Sequence, residues 1–302
     1  MNPLDRYNPF RPLIQWYYTR IMDRFIDHEL DVRFAAYKKT GKQPTTIMDL
    51  ALDKYLETQP EPTLPVMDLE FKKFAISQMK VFVLAGHDTT SSTLCYIFCL
   101  LARNPQAREK ARAEHNEVFG SDISLTSSAI MAAPYLLNQL PFTVAIIKEV
   151  LRLFPPASST RYGIPELSLA ANGQLFPTDG CTCWSLHQAM HRDLLYWPQP
   201  DTFLPERWLV SKDDPLYPVR GAWRPFEVGP RNCIGQELVM SELKIVMLMT
   251  LREFNIEACY EEWDQMKGRT GCRTVNGERA YQVLDGTMRP ADGMPCKVAV
   301  AS

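Results

Sequence analysis

Residues 69–103 form the longest uninterrupted helical pattern in the chain, and this segment restricts the possible folds most strongly. Asp68 precedes it as a potential N-cap, and Asn104-Pro105 follows it as a helix stop. Its 35 residues correspond to a helix of roughly 52 Å at about 1.5 Å per residue. A helix of that length crosses a whole globular domain, so the other elements are expected to pack around it.

The sequence before and after this segment differs in its periodicity. Up to residue 154 apolar residues recur at helical spacing, and residues 105–119 are typical of a charged surface helix. Residues 134–154 predict one or two more helices, interrupted or begun at Pro141. The first part of the chain, residues 1–154, is therefore predicted to be helical.

From residue 155 to residue 302 the helical periodicity fades. Asn172-Gly173 lies at the centre of residues 167–176 and predicts a β-hairpin. A strong apolar helix is predicted over residues 234–254, with short strands and turns after it. Residues 1–302 are thus predicted to form a single, mainly α domain with a small β portion.

The composition argues against several functional classes. The formal net charge of −2 offers no basic surface for nucleic acid, so no nucleic-acid partner is expected. The 8 cysteines contain no CxxC pair, which argues against structural zinc, and their scatter is typical of a reduced protein. The most apolar stretch, residues 81–102, contains His87, Asp88 and a run of hydroxyl residues, so no membrane anchor is expected in this chain.

The sequence AGHDTT, residues 85–90, lies midway along the long helical segment. Gly86 weakens a helix interior by about 1 kcal/mol relative to alanine, and the hydroxyl groups after it can bond to preceding carbonyls and loosen the helix. We therefore predict a helix opened at this point, where Gly86 leaves room for a ligand. Asp88 and Thr89 would supply an acid and an alcohol for proton transfer. On this motif alone, a buried helix that tolerates small polar residues is an equally good interpretation.

The sequence KEVLR places Glu149 and Arg152 three residues apart on one helix face. A surface ion pair of this kind is common and contributes only about 0.2–0.5 kcal/mol. Arg207, in LPERW further along the chain, changes the interpretation, because a second arginine could complete a buried triad. The planar guanidinium group, with several fixed donors, suits that role.

The segment FEVGPRNCIG, residues 226–235, places one cysteine in a turn built from glycine and proline. Cys233 then projects at the N-terminus of the predicted helix, where the helix dipole and backbone N–H groups favour a thiolate. Arg231 would lie within reach of anionic groups on whatever the sulfur binds. Glu227 follows the phenylalanine of the motif and brings a carboxylate into the same turn.

Several chemistries compete for this cysteine. Zinc would require further ligands nearby, and HQAMH, residues 187–191, lacks the glutamate of a metalloprotease HExxH motif, so both its histidines are expected to be surface or hydrogen-bonded core residues. A cysteine nucleophile activated by histidine and aspartate stays open, although no matching local signature is present. A single thiolate that needs only one protein bond points to an iron already held by a porphyrin.

The four motifs, in this order, resemble those of the cytochrome P-450 haem-thiolate monooxygenases. Their style is similar to fungal, microsomal-type members, including those that tailor secondary metabolites. The resemblance implies haem b with the Cys233 thiolate as its axial iron ligand and Phe226 packed near the sulfur. Arg231 and, as a second candidate, Arg161 would contact a haem propionate, and Gly86 would leave room beside the haem.

The same resemblance assigns the other motif residues. Asp88 and Thr89 match the acid–alcohol pair that delivers protons during dioxygen reduction. Glu149, Arg152 and Arg207 match the structural triad of the family. Glu227 departs from the pattern, since the family usually has a small residue, an amide or histidine after the phenylalanine.

The implied activity is monooxygenation of a small hydrophobic organic substrate with O2. Electrons would come from NADPH through a flavoprotein reductase that docks near Cys233, at the cytosolic face of the endoplasmic reticulum membrane. The resemblance covers only the C-terminal portion of such a protein, without its anchor and early helices. Two alternatives follow: a truncated or inactive fragment, and a haem-thiolate isomerase or dehydratase, for which the Asp88–Thr89 pair would be expected to be lost.

Overall fold

The computed structural model describes residues 9–40, 45–58, 67–271 and 273–301. Its α-helices are α1 (Arg11–Thr40), α2 (Ile47–Glu57), α3 (Leu69–Arg103), α4 (Pro105–Phe119), α5 (Thr126–Ala132), α6 (Pro141–Leu153), α7 (His187–Met190), α8 (Gln236–Thr250) and α9 (Tyr260–Met266). Short 3-10 helices cover Ile123–Leu125, Pro134–Gln139 and Pro205–Trp208. The strands are β1 (Ser159–Tyr162), β2 (Ser168–Ala171), β3 (Gln174–Pro177), β4 (Thr182–Ser185), β5 (Phe254–Ala258), β6 (Gln282–Asp285), β7 (Thr287–Pro290) and β8 (Cys296–Val300). The predicted mainly α fold with a small β portion is confirmed.

The chain forms two compact units, Met1–His87 and Asp88–Ser302. In the first unit an apolar core joins α1, α2 and the residues of α3 that belong to it. Leu30 and Leu52 are fully buried there, and the rings of Tyr55 and Phe71 stack with centroids 4.0 Å apart. The prediction of one domain over residues 1–302 stays a prediction.

The long helix α3 covers the range predicted from the sequence, and its ends have the expected local causes. Asp68 Oδ2 accepts a hydrogen bond from the backbone N–H of Phe71 at 3.0 Å, which satisfies one donor of the first turn. At the other end Asn104 lies outside the helix, and Pro105 opens α4.

The predicted opening of α3 at residues 85–90 is wrong, because the helix is continuous there. Ser91 Oγ donates to the carbonyl of Asp88 at 3.1 Å, and Thr93 Oγ1 donates to the carbonyl of Thr89 at 2.8 Å. A carbonyl oxygen has two lone pairs, so it can accept a side-chain hydroxyl together with its helical N–H. The hydroxyl groups therefore supplement the backbone ladder without interrupting it.

The second unit is built around α6. Ile146, Ile147 and Val150 are fully buried and share one apolar cluster with Leu243 and Met247 of α8. The 3-10 helix Pro134–Gln139 precedes α6, so the chain between residues 134 and 154 is interrupted before α6 begins at a proline, as predicted. This packing fixes the two helices that carry the EVLR motif and follow the cysteine loop.

The strands form antiparallel pairs, β1 with β4, β2 with β3, β5 with β8 and β6 with β7. The predicted hairpin over residues 167–176 is confirmed as β2 and β3. Both residues of its turn have positive φ, 50° at Asn172 and 76° at Gly173, which matches the right-handed twist of a two-residue hairpin.

The predicted terminal helix over residues 234–254 is shorter in the structure. α8 begins at Gln236, because the two residues before it belong to the turn that follows Cys233. It ends at Thr250, and Phe254 already pairs with Val300 in the β5–β8 sheet. Tertiary pairing with a strand near the end of the chain therefore sets the C-terminal limit of this helix.

Candidate functional site

The cysteine loop, residues 226–235, is closed by backbone hydrogen bonds. The N–H of Cys233 donates to the carbonyl of Phe226 at 2.8 Å, and the N–H of Asn232 donates to the carbonyl of Gly229 at 3.1 Å. Gly229 has a φ of +83°, a conformation in which glycine avoids the strain of a side chain. The Cys233 side chain is exposed at the end of this loop, three residues before the first residue of α8.

Several residues close to Cys233 in the sequence have apolar side chains that are exposed to solvent. Ile234 is 87% exposed, and Val228 and Leu238 are also exposed. Exposed apolar residues that are clustered are typical of a site that binds a ligand or partner, and these three lie within five residues of Cys233 in the sequence. Phe226 lies on the inner side of the loop, half-buried against the main core, with its ring 6.0 Å from that of Trp223.

These residues fit a haem. In the described part of the chain, no group of three or more histidine, cysteine, aspartate or glutamate side chains could hold a metal ion. A porphyrin would itself supply further ligands to a metal at Cys233, and one exposed thiol beside apolar side chains is a suitable donor set for porphyrin iron.

Two exposed arginines were predicted to contact haem propionates. Arg161 Nη1 donates to the carbonyl of Thr160 at 2.8 Å, and Arg231 lies in the cysteine loop itself. Neither side chain forms an ion pair with a carboxylate among the described residues. Both guanidinium groups can therefore bind an external anion, and their role stays a prediction.

The predicted proton-transfer pair, Asp88 and Thr89, lies partly buried on α3. Asp88 Oδ2 accepts a hydrogen bond from the hydroxyl of Thr287, the first residue of β7. Ser92 Oγ donates to the carbonyl of Met288 at 2.7 Å, so β7 is attached to this helix at two adjacent places. Sequence reasoning missed Thr287, because nothing near it in the sequence indicates a partner 199 residues away.

At Gly86 the helix presents open space, since a Cβ atom built there would meet no atom within 4 Å apart from its chain neighbours and the adjacent helix backbone. This observation is compatible with the predicted room for a ligand. The role of Gly86 stays a prediction.

The structure brings Glu149, Arg152 and Arg207 together, and all three side chains are fully buried. Glu149 accepts from Arg152 Nε at 3.0 Å and Nη2 at 2.8 Å, and from Arg207 Nε at 3.1 Å. Trp208 Nε1 donates to the same carboxylate at 3.1 Å. Removing Glu149 would leave two buried guanidinium groups without an anion.

The two arginines also hold the irregular segment that lies between them in the sequence. Arg152 Nη1 donates to the carbonyls of His191 at 2.9 Å and Pro200 at 2.6 Å. Arg207 Nη1 donates to the carbonyl of Pro198 at 3.2 Å. The buried triad therefore links α6 to the backbone of a long segment without regular structure.

Both histidines of HQAMH are buried and hydrogen-bonded. His187 Nε2 contacts Glu227 Oε1 at 2.8 Å, and its Nδ1 contacts the carbonyl of Ala157 at 3.0 Å. His191 Nε2 accepts from the backbone N–H of Arg224 at 2.9 Å. Burial, with the neighbouring His187, lowers the pKa of His191 to about 4, so this ring is neutral at pH 7.

Glu227 is the centre of a second polar cluster. Burial alone would raise its pKa, but hydrogen bonds from Ser159, His187 and Arg224 outweigh burial and lower the pKa to about 2. The carboxylate is therefore ionised at neutral pH. Sequence reasoning had singled out Glu227 only as a departure from a motif.

Other predictions concern the cysteines and membranes. The cysteines that the structure describes are free thiols, and Cys272 lies outside the described residues. Among the helices that the structure describes, none has both the length and the apolar character needed to cross a membrane.

Comparison with known proteins identifies the family. A model of the family described as Cytochrome P450 matches residues 1–284. The chain is 40% identical to cytochrome P450 monooxygenase polC of Polytolypa hystricis over 304 residues, which cover 100% of this chain and 54% of the relative. It is 34% identical to cytochrome P450 monooxygenase acrF of Aspergillus aculeatus, with 96% of this chain and 62% of that relative covered. The chain therefore spans only part of the length of these relatives.

A solved structure has the same fold. The protein described as retinoic acid bound cyanobacterial CYP120A1 superimposes with a TM-score of 0.63 at 23% identity, covering 90% of this chain and 55% of that one. Fold, motif order and family comparison agree, and the chain belongs to the cytochrome P450 family.

Proposed function

We propose that this chain is a haem-dependent monooxygenase that oxidises a small hydrophobic organic substrate with O2. One observation carries the proposal: the exposed Cys233 thiol ends a hydrogen-bonded loop beside exposed apolar side chains, and among the described residues no group of three or more potential ligand side chains could hold a metal ion. The names of polC and acrF support the reaction type, since both relatives are monooxygenases.

The proposed roles follow from the positions of the side chains. Cys233 would bind the iron of haem b as a thiolate, and bound haem would supply the reduction of O2, with thiolate donation favouring O–O cleavage. Phe226 would pack beside the sulfur from the inner side of the loop, while the Arg231 and Arg161 guanidinium groups would bind the propionates. These residues bind and orient the cofactor.

Proton transfer would be the task of Asp88 and Thr89. Asp88 would hold a proton at its carboxyl group, and Thr89 Oγ1 would pass it towards the oxygen being reduced. Thr287 would fix the Asp88 carboxyl through its hydrogen bond to Oδ2. The presence of this acid–alcohol pair favours a monooxygenase over a haem-thiolate isomerase or dehydratase.

The electrons would come from NADPH through a flavoprotein reductase that docks near Cys233. By resemblance to the family, the protein would act at the cytosolic face of the endoplasmic reticulum membrane. A role in tailoring secondary metabolites would suit its similarity to fungal monooxygenases.

The decisive experiment is the absorption spectrum of the purified chain after loading with haemin. We expect the reduced carbon monoxide adduct to show the long-wavelength Soret band of thiolate ligation. Cys233→Ala should lose this band, whereas Cys181→Ala, which removes another exposed thiol, should keep it. A wild-type chain that binds haemin without this band would exclude thiolate ligation, and a chain that shows the band but forms no product would support the fragment alternative.

A further inference from the structure

The carboxylate of Glu227 lies inside the protein, with its side chain 9% exposed. Oε1 accepts a hydrogen bond from Ser159 Oγ and one from His187 Nε2 at 2.8 Å. Oε2 accepts from Arg224 Nε at 3.1 Å and from Arg224 Nη2 at 2.6 Å. Four hydrogen bonds thus satisfy both oxygens, which matches the number of hydrogen bonds that an ionised carboxylate can accept.

These donors come from three different parts of the second unit. Ser159 is the first residue of β1, His187 is the first residue of α7, and Arg224 lies in the irregular segment just before the cysteine loop. They stand 68, 40 and 3 residues from Glu227 in the sequence. The Glu227 side chain therefore attaches the cysteine loop to β1, to α7 and to the residues just before the loop.

The backbone at Glu227 supports the same interpretation. Its φ is +56°, in the left-handed region that non-glycine residues rarely adopt. The adjacent carbonyl, of Phe226, is the acceptor for the N–H of Cys233 at 2.8 Å. The side-chain hydrogen bonds hold the backbone in this unfavourable conformation at the point where the loop closes on the cysteine.

The Glu227 carboxylate is paired with a guanidinium group. Arg224 Nη2 forms an ion pair with Glu227 Oε2 at 2.6 Å. The His187 ring lies between two oxygen atoms, with Nε2 2.8 Å from Glu227 Oε1 and Nδ1 3.0 Å from the carbonyl oxygen of Ala157. His191, whose ring stacks 5.8 Å from that of His187, is neutral.

We infer that Glu227 is a positioning residue for the Cys233 thiolate: its carboxylate fixes the conformation of the cysteine loop and adds a negative charge to the side of the loop away from solvent. The inference rests on the proposed function in one respect, the binding of haem by Cys233. Glu227 is not the proposed iron ligand. It would control the orientation of the Cys233 sulfur and the electrostatic potential around it.

Two variants separate the geometric and electrostatic effects. Glu227→Ala removes every bond to the cluster, whereas Glu227→Gln keeps the shape and part of the hydrogen bonding but removes the charge. Ser159→Ala keeps the charge and removes one donor, so it serves if Glu227→Ala does not fold. Glu242→Gln is the matched control, because Glu242 is an exposed residue of α8 outside the cluster.

The first readout is hydrogen exchange of the peptide covering residues 226–235 in the chain without haem. We expect exchange at least about tenfold faster in Glu227→Ala, a smaller increase in Glu227→Gln and Ser159→Ala, and no change in Glu242→Gln. Wild-type exchange rates in this peptide for all three cluster variants would overturn the inference.

The second readout is the reduction potential of the haem-loaded chain. Removing a negative charge near the thiolate makes addition of an electron easier, so Glu227→Gln should shift the potential to less negative values, and Glu242→Gln should not. An unchanged potential in Glu227→Gln would overturn the electrostatic part. If the wild-type chain shows no thiolate spectrum, the proposed function fails, while the exchange experiment still decides whether Glu227 fixes the loop.

Discussion

The hydroxyl of Thr287 donates a hydrogen bond to Asp88 Oδ2, and this contact joins the β6–β7 hairpin to the centre of the long helix α3. Gly286, at the hairpin turn, has a φ of +83°, and a Cβ atom there would lie 3.8 Å from the same carboxylate oxygen. The turn thus places Thr287 beside Asp88, and the hydrogen bond limits the orientations of an acid proposed to deliver protons.

Replacing Thr287 by valine tests this contact. Valine keeps the shape of threonine but cannot donate, and the lost hydrogen bond is worth about 1 kcal/mol, or about a fivefold change. We expect product formed per NADPH to fall by about that factor, with more peroxide released. Thr182→Val, an exposed position on β4, is the control, and unchanged coupling in Thr287→Val would remove Thr287 from proton delivery.

Thr89 is predicted to carry the proton itself. In Thr89→Ala the alcohol is absent, so product formation should fall by about 10²-fold or more, the usual contribution of general acid catalysis, while NADPH oxidation continues. Thr89→Ser restores a hydroxyl and should recover most of the coupling. Peroxide and product are measured together, and wild-type coupling in the alanine variant would contradict the assignment.

The buried triad should determine stability more than any surface ion pair. Glu149→Ala leaves two buried guanidinium groups without an anion, which costs about 3–5 kcal/mol. Urea unfolding of the purified variant, or its loss from the soluble fraction, measures this effect.

The control for the triad is Glu262→Ala, which breaks the exposed pair with Lys297. An exposed pair of this kind is worth at most about 1 kcal/mol. Equal stabilities for the two variants would show that the triad contributes no more than a surface pair.

Acid should destabilise the folded chain through its buried histidines. Burial lowers the pKa of His191 to about 4, from 6.5 for the exposed group, and lowers that of His115, beside Arg252, to about 4 as well. The unfolded chain binds protons below pH 6.5 that the folded chain excludes, so the free energy of unfolding is highest above pH 6.5. It should fall by on the order of 3 kcal/mol per histidine as the pH drops towards 4.

The variant that tests this mechanism is His191→Gln. Its amide oxygen can replace Nε2 as the acceptor for the N–H of Arg224, but it does not titrate. We expect a shallower loss of thermal stability between pH 7 and pH 4 than in the wild type. His28→Gln, at an exposed position, should leave the pH dependence unchanged, and identical curves for His191→Gln and the wild type would disprove the prediction.

Short-range features were predictable because their causes lie within a few residues. The limits of α3 follow from the Asp68 cap and from Asn104-Pro105, and the β2–β3 hairpin follows from the positive φ that Asn172-Gly173 accepts. The pairing of Glu149 with Arg152 follows from helical spacing. The sequence also determined the family, through the order of four short motifs.

Long-range contacts were not predictable, because they depend on how distant segments pack. Thr287 meets Asp88 across 199 residues, and Ser159 meets Glu227 across 68. α8 ends at Thr250 because the strand that begins at Phe254 pairs with residues near the end of the chain.

This difference between local features and long-range contacts has a physical reason. Caps, turns and helical pairs form between neighbouring residues, so the local sequence alone determined them. The partners of a buried carboxylate are the donors that folding brings to it, and these can come from anywhere in the chain. The sequence therefore determined the elements and the candidate cysteine, and only the tertiary structure decided that Glu227 is held by a sheet, a helix and an arginine, and that Asp88 is held by a threonine on a hairpin.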